Sequence, residues 1–434
     1  MPKKRDISPK EALFKSIDRL AETVPAELLR RLAKETGFAE RIRKIDPALF
    51  FWNLAMGFGI NMEKTLAGLQ RRLETISDID LAPASFFDRF NKRLVAFLEA
   101  VQKHLLATQA ESALPRRVLE TFKDVLIFDN TIVRLQDGLA KLFPGAGLPA
   151  AAKISAVLSL ACESTKRVEI HAGSKADIKT IRLGSWIKNH LLLFDLGFFK
   201  AALFARINKF GGHFICRLRK DIDPIIVQNN RECRGRSVRL EGKRLSEVLP
   251  KLKRGILDTM VDLPCSYRKY RGKVREAMIR LRLVGVMNEE SGEYHLYLTD
   301  LPAEQFAVET IADLYAGRWA VELLFKELKS RYALQTVVSS NPEVVRALIY
   351  AALIALTVSR RLFVQYRDSL IPTGKAVSRG GWATFLAEHS KDVLRLILKS
   401  ANIEFTEEQL WNLALKEAFD KTPDRNRLDD VWDY

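Results

Sequence analysis

Residues 125–133 read V-L-I-F-D-N-T-I-V, a β-branched and aromatic run with one carboxylate, Asp129, at its centre. Such a run suits a strand, because branched and aromatic side chains pack well on a pleated surface. Working outward, K-I-S-A-V-L-S-L (153–160) and R-V-E-I-H-A (167–172) predict two further strands, with a helical stretch near Lys175–Leu183. H-L-L-L-F-D-L-G (190–197) follows, an apolar run of the kind found in a strand covered on both faces. F-F-K-A-A-L-F-A-R-I (198–207) predicts a helix and H-F-I-C-R-L-R-K (213–220) another strand. This succession is an α/β layer pattern, and its first and fourth strands lead into Asp129 and Asp195.

Upstream, residues 1–118 read as helical, with apolar residues at helical spacing in E-L-L-R-R-L-A-K (27–34) and F-L-E-A-V-Q-K-H-L-L (97–106). Ser85 is placed to cap a helix over F-F-D-R-F-N-K-R-L, and a preceding helix ends near Leu73. That pairing is compatible with helix-turn-helix DNA binding, and equally with a plain helical bundle. Downstream, residues 221–302 hold short β-like pieces: P-I-I-V-Q, R-S-V-R-L, I-R-L-R-L-V-G-V and Y-H-L-Y-L. Residues 215–285 carry 19 Lys and Arg against 8 Asp and Glu, a net of +11. Most of the chain's surplus charge is therefore concentrated there, interleaved with Tyr267 and Tyr270, as on a surface that tracks phosphates. From 303 the chain returns to helix, with the core closing by about 370 and a helical region over 371–434 ending in D-D-V-W-D-Y.

The 434 residues suffice for several domains, and the formal net charge of +17 favours a polyanionic partner. Four cysteines without C-x-x-C spacing and six scattered histidines argue against a disulfide framework or a zinc site, and fit a reducing cytoplasm. M-P-K-K-R-D leads into an amphipathic segment without the apolar core of a secretory signal. The apolar run Ala347–Val358 falls short of the roughly 18–20 residues that span a bilayer and predicts a buried helix, so no membrane partner is expected.

The chemistry is carried by Y-A-G-R-W-A-V-E-L-L-F-K-E-L-K (315–329). On one continuous helix Tyr315, Arg318, Glu322 and Lys329 fall in a wedge roughly 60° wide. Ala320, Val321, Leu324, Phe325 and Leu328 fall on an adjoining apolar arc that faces a core. Gly317 marks a possible break just after Tyr315. Taken alone, Glu322 with Arg318 is an i, i+4 ion pair of the kind that decorates exposed helices.

The spacing Tyr-x2-Arg-x3-Glu-x6-Lys resembles the signature of the YREK branch (the insertion sequence four type family) of prokaryotic insertion-sequence DDE transposases. F-D-N-T-I-V (128–133) resembles that family's first-aspartate strand, L-L-L-F-D-L-G-F-F (191–199) its second-aspartate motif, and L-T-D-L-P (298–302) its lead-in to the glutamate helix. G-G-H-F-I-C-R-L-R-K (211–220) is also similar, and the likeness runs over about 120–330. One departure is Leu196, where relatives often carry a basic residue.

The resemblance implies an RNase H-like mixed sheet with flanking helices, split by the β-rich insertion. It implies Asp129, Asp195 and Glu322 as catalytic ligands of two Mg²⁺ or Mn²⁺ ions, which favour hard oxygen donors. It gives Tyr315, Arg318 and Lys329 a DNA phosphate as partner. Trp319 is placed either beside a nucleotide or in the core, and Arg268, Lys269, Arg271 and Lys273 are the basic residues expected to meet DNA. The family acts on transposon terminal inverted repeats and target DNA, as dimers, here in a prokaryotic cytoplasm at the nucleoid. Some members flip a base onto an aromatic residue of the insertion. Residues 221–312 contain no Trp, which leaves Tyr267, Tyr270, Tyr294 or Tyr297 for that task. The rival readings are an RNase H-like nuclease or resolvase without strand transfer, a non-catalytic transposase-derived DNA-binding protein, and a basic scaffold.

Overall fold

In the computed structural model, described residues lie between 7 and 406. Excepted are 41–44, 61–62, 110–117, 234–235, 238, 253–254, 267–275, 333, 335–336, 338 and 374–376. The chain divides into two compact units, one of residues 109–329 and one joining 1–108 to 330–434.

The second unit is helical. Its first part comprises α1 (Pro9–Thr23), α2 (Ala26–Glu35), α3 (Pro47–Asn53, running on as a π turn over Leu54–Phe58), α4 (Leu66–Ser77), α5 (Pro83–Phe87) and α6 (Lys92–Ala107). Ser8 and Glu11 form a capping box at α1, satisfying backbone donors that the first turn leaves free. Ser85 is not a cap: Pro83 starts a short helix before it, and Asn91 caps α6 by accepting from the Arg93 and Leu94 amides. Phe50, Phe51, Trp52, Phe86, Phe90 and Phe97 form the aromatic core.

The chain enters the other unit at α7 (Val118–Thr121) and forms β1 (Asp124–Arg134), β2 (Ala151–Ser159), β3 (Ser164–Ala172) and β4 (His190–Phe194). After them come α8 (Ala201–Lys209), β5 (His213–Arg217), β6 (Ile225–Asn229), the two-residue β7 (Glu232–Cys233) and β8 (Arg236–Ser237), and α9 (Leu245–Val248). β9 (Ile256–Ser266), β10 (Glu276–Met287), β11 (Tyr294–Thr299), α10 (Val308–Ala316) and α11 (Trp319–Arg331) complete it. One sheet of nine strands runs β3-β2-β1-β4-β5-β11-β10-β9-β6. β1 is antiparallel to β2, and β2 to β3, whereas β4 is parallel to both β1 and β5. That order and polarity in the first five strands is the RNase H-like sheet. Phe128, Phe194, Phe198, Phe204 and Phe214 pack its core.

The insertion is part of this sheet, because β11 pairs with β5 and carries β10, β9 and β6 beyond it. β9 is not among the expected strands, although I-L-D-T-M-V-D-L alternates as a strand should. No α-helix forms over Lys175–Leu183. Asp177 there accepts hydrogen bonds from Asn130 and Lys153, tying the segment to β1 and β2 and leaving one 3₁₀ turn, Asp177–Lys179.

The remaining helices, α12 (Pro342–Leu370), α13 (Arg379–Glu388) and α14 (Ser390–Ser400), belong to the helical unit. The compact α/β unit ends at 329, whereas the sequence reading carries the core on to about 370. α12 is apolar around its circumference and packs against α1 and α6. It is long and apolar enough to cross a membrane, but its apolar window is wholly buried.

Candidate active site

Phe128 pairs with Phe194 across the parallel strands β1 and β4. Each phenylalanine is buried, and each is followed by a half-buried aspartate, Asp129 or Asp195. Registry therefore puts the two carboxylates side by side on one sheet face, since successive side chains alternate. Asp195 heads a 3₁₀ turn, Leu196–Phe198, whose Phe198 amide donates to the Asp195 carbonyl at 3.1 Å.

The third carboxylate comes from α11. Val321, Leu324, Phe325 and Leu328 are buried, which turns Glu322 and Arg318 away from the core as the apolar arc predicted. The Arg318 guanidinium lies between two carboxylates: its Nη1 is 3.6 Å from Asp129 Oδ2, and its Nη2 donates to Glu322 Oε1. The i, i+4 ion pair thus forms, but it is one side of a bridge to Asp129. Burial pushes the Asp129 carboxyl up to about 6, and the charges of Asp195 and Glu322 push the same way. The Asn130 amide, 2.7 Å from Oδ1, and Arg318 oppose that rise. Among the described residues no three His, Cys, Asp or Glu side chains gather around one point, since the guanidinium separates Asp129 from Glu322.

Tyr315 is not on an exposed stripe. α10 ends at Gly317, where the bonds Gly317 N to Leu314 O and Arg318 N to Tyr315 O tighten the turn. That break rotates Tyr315 out of register with α11. Its ring is buried, packs against Tyr297 at 4.9 Å between centroids and lies beneath Arg318, whose Cζ is 5.9 Å from the ring centre. The hydroxyl is buried with no hydrogen-bond partner among the described residues, and desolvation holds its proton well above the ordinary tyrosine range. Tyr297, covered by Tyr315, is likewise closed to a flipped base.

Trp319 is 59% exposed at the start of α11, which rejects the core alternative. Lys329 is half-buried on the same helix, two turns beyond Glu322. Arg268, Lys269, Arg271 and Lys273, with Tyr267 and Tyr270, lie outside the described residues. Elsewhere in the insertion three arginines are locally paired: Arg280 with Asp262, Arg244 with Asp223, and Arg282 with Asp258. No motif in the sequence marks the support of the loop after Asp195. The Asp177 carboxylate bonds Asn130 and Lys153, and a side chain at Gly197 would come within 2.8 Å of it.

A fold of this order, with one aspartate in β1, another just past the end of β4 and a glutamate on α11, is that of a class, the DDE phosphoryl-transfer enzymes. Residues 120–358, more than half of the chain, match the family described as Transposase DDE domain, and the chain belongs to that family. It is similar to the transposase for insertion sequence element IS231F of Bacillus thuringiensis subsp. israelensis, 22% identical over 409 residues, with 85% of this chain and 84% of that protein covered. It is also similar to the transposase for insertion sequence element IS1151 of Clostridium perfringens, 23% identical over 381 residues and 78% of each. A cryo-EM structure of the piggyBac transposase synaptic complex with hairpin DNA aligns at a TM-score of 0.44 and 12% identity, over 98% of this chain and 89% of that one. The fold assignment rests on the strand order.

Proposed function

We propose that this chain cuts DNA at the terminal inverted repeats of an insertion sequence and joins the freed 3′ ends to target DNA with one active site, Asp129, Asp195 and Glu322. The observation that carries this reading is the pairing of Phe128 with Phe194, which sets two carboxylates together beside the helix that bears the third. Their donors are oxygens alone, and a burial-raised Asp129 calls for positive charge, so the set fits Mg²⁺ or Mn²⁺. Two such ions, when bound, supply activation of a water or 3′-hydroxyl and stabilisation of the leaving oxygen.

Asp129, Asp195 and Glu322 would hold that charge, in place of the Arg318 guanidinium that bridges Asp129 and Glu322. A freed guanidinium is suited to gripping a phosphate bidentately, and the Lys329 ammonium to a second phosphate farther along α11. Tyr315, with its hydroxyl buried, serves by backing Arg318 through its ring. Trp319 offers an exposed indole on which a nucleotide stacks. The helices of 1–118 would add DNA contacts, the basic segment around Arg268, Lys269, Arg271 and Lys273 would track the backbone, and 371–434 would pair subunits across two element ends. The setting is the cytoplasm of a prokaryote.

The test uses the repeats that flank the reading frame as labelled duplexes with Mg²⁺. Asp129→Ala, Asp195→Ala and Glu322→Ala should each abolish cleavage and joining while retaining end binding. A variant that cleaves at near wild-type rate removes its residue from the site, and wild-type cleavage without joining selects the nuclease reading.

A further inference from the structure

β3 is the edge strand of the sheet, and it carries a bulge. Val157 pairs with Arg167 but the next residue, Leu158, pairs with Thr165, so Lys166 is extra and reaches the buried Asp124 at 3.3 Å. Bulges re-aim neighbouring side chains. Here the neighbour is Arg167, whose guanidinium sits over the indole of Trp186, its Cζ 3.9 Å from the ring centre. Arg167 is exposed at its edge, and it has no ion-pair partner among the described residues. The nearby Glu169 carboxylate is 3.5 Å from Arg182 instead. Burial lowers the Arg167 pKa, and the nearby Glu169 charge only partly opposes it.

The cross-strand row Phe128–Val157–Arg167 alternates with the row Asp129–Ala156–Val168, so Arg167 projects from the face opposite the carboxylates. The surrounding segment 164–188 holds six Lys and Arg (166, 167, 175, 179, 182 and 188) against Glu169 and Asp177. An oriented, unpaired guanidinium on a basic edge fits a phosphodiester, because the planar fork is already fixed.

We infer that Arg167, clamped on Trp186, is a backbone-phosphate site for duplex DNA on the sheet face away from the catalytic carboxylates. This rests on the DNA-transposase reading above. Arg167→Ala and Arg167→Gln, in full-length protein shown to be folded by circular dichroism, are compared with wild type in salt titrations of binding. One arm uses the element-end duplex and the other an unrelated duplex of equal length, which distinguishes end DNA from target DNA as the source of the phosphate. Loss of one phosphate contact flattens the slope of log affinity against log salt by about 0.9 and weakens binding roughly five- to tenfold near 0.1 M salt. Arg167→Lys, which keeps charge but not the planar stack, should fall between. A slope and affinity unchanged in both arms, with wild type binding normally, overturns the inference alone. Absence of DNA binding by wild type overturns the functional reading instead.

Discussion

The Arg318 guanidinium stands 3.6 Å from Asp129 and also donates to Glu322, so one cation spans the first and last acids of the site. The two acids come from a strand and a helix nearly two hundred residues apart, and among the described residues no other cation pairs with both. Whatever loosens Arg318 therefore alters both carboxylates at once.

Arg318→Ala should lower end cleavage by roughly two orders of magnitude, the usual loss when a transition-state donor is removed. Lys329→Ala should cost less, about tenfold, because it meets a phosphate roughly 16 Å farther along the helix. Both keep their fold, since neither side chain belongs to the apolar arc. Single-turnover cleavage, with circular dichroism as control, checks this; wild-type cleavage by either variant returns that residue to a surface role.

The raised Asp129 carboxyl couples stability to pH. Its folded value of about 6 lies above the ordinary carboxyl value, so the native state binds the proton more tightly than the unfolded chain. Stability in chelator thus falls as pH rises from about 4 to about 6 and is level above that, a loss of up to about 3 kcal/mol. Asp129→Asn, which never ionises, should melt higher than wild type at pH 8 and equally at pH 4. The same difference at both pH values would rule out ionisation of a buried carboxyl as the cause.

Arg282 joins β10 to β9 through Asp258 at 2.7 and 2.9 Å and donates to the carbonyls of Leu301 and Phe306. Both charged groups are buried, so Arg282→Met strands the Asp258 carboxylate and should cost about 3–5 kcal/mol in urea unfolding. Asp258→Asn with Arg282→Met should recover part of it. A loss below about 1 kcal/mol would show that the pair is exchanged for water.

Neutralising Arg268, Lys269, Arg271 and Lys273 together should flatten the salt dependence of duplex binding by up to about three or four units. The loss should be equal for end and random DNA, because phosphate contacts carry no sequence. Identical slopes in variant and wild type would place this segment away from DNA.

Much of the candidate site's framework was legible because its signals are local. The apolar residues leading into Asp129 and Asp195 give buried strands, and the period of 321–328 gives the face of Glu322. Tyr315 escapes angular reasoning, which takes one helix through Gly317, where turn bonds change the pitch. The segment at Asp177 has enough helix formers to suggest a helix, yet its partners Asn130 and Lys153 lie far off in sequence. Likewise α12 reads as a buried helix without saying which unit buries it. Arg167 leaves no trace at all, since a bulge shows only in the register of two strands.

The pairing of Arg217 on β5 with Tyr297 on β11 has a consequence for the order of assembly. Residues 218–296 must be synthesised and the long loop closed before that pairing forms, and only then does the chain reach α11. An interrupted polypeptide ending anywhere in the insertion holds Asp129 and Asp195 but not Glu322. On the proposed site, such a fragment lacks one of the three carboxylates, so the topology makes the last-synthesised part of the unit the one that completes it.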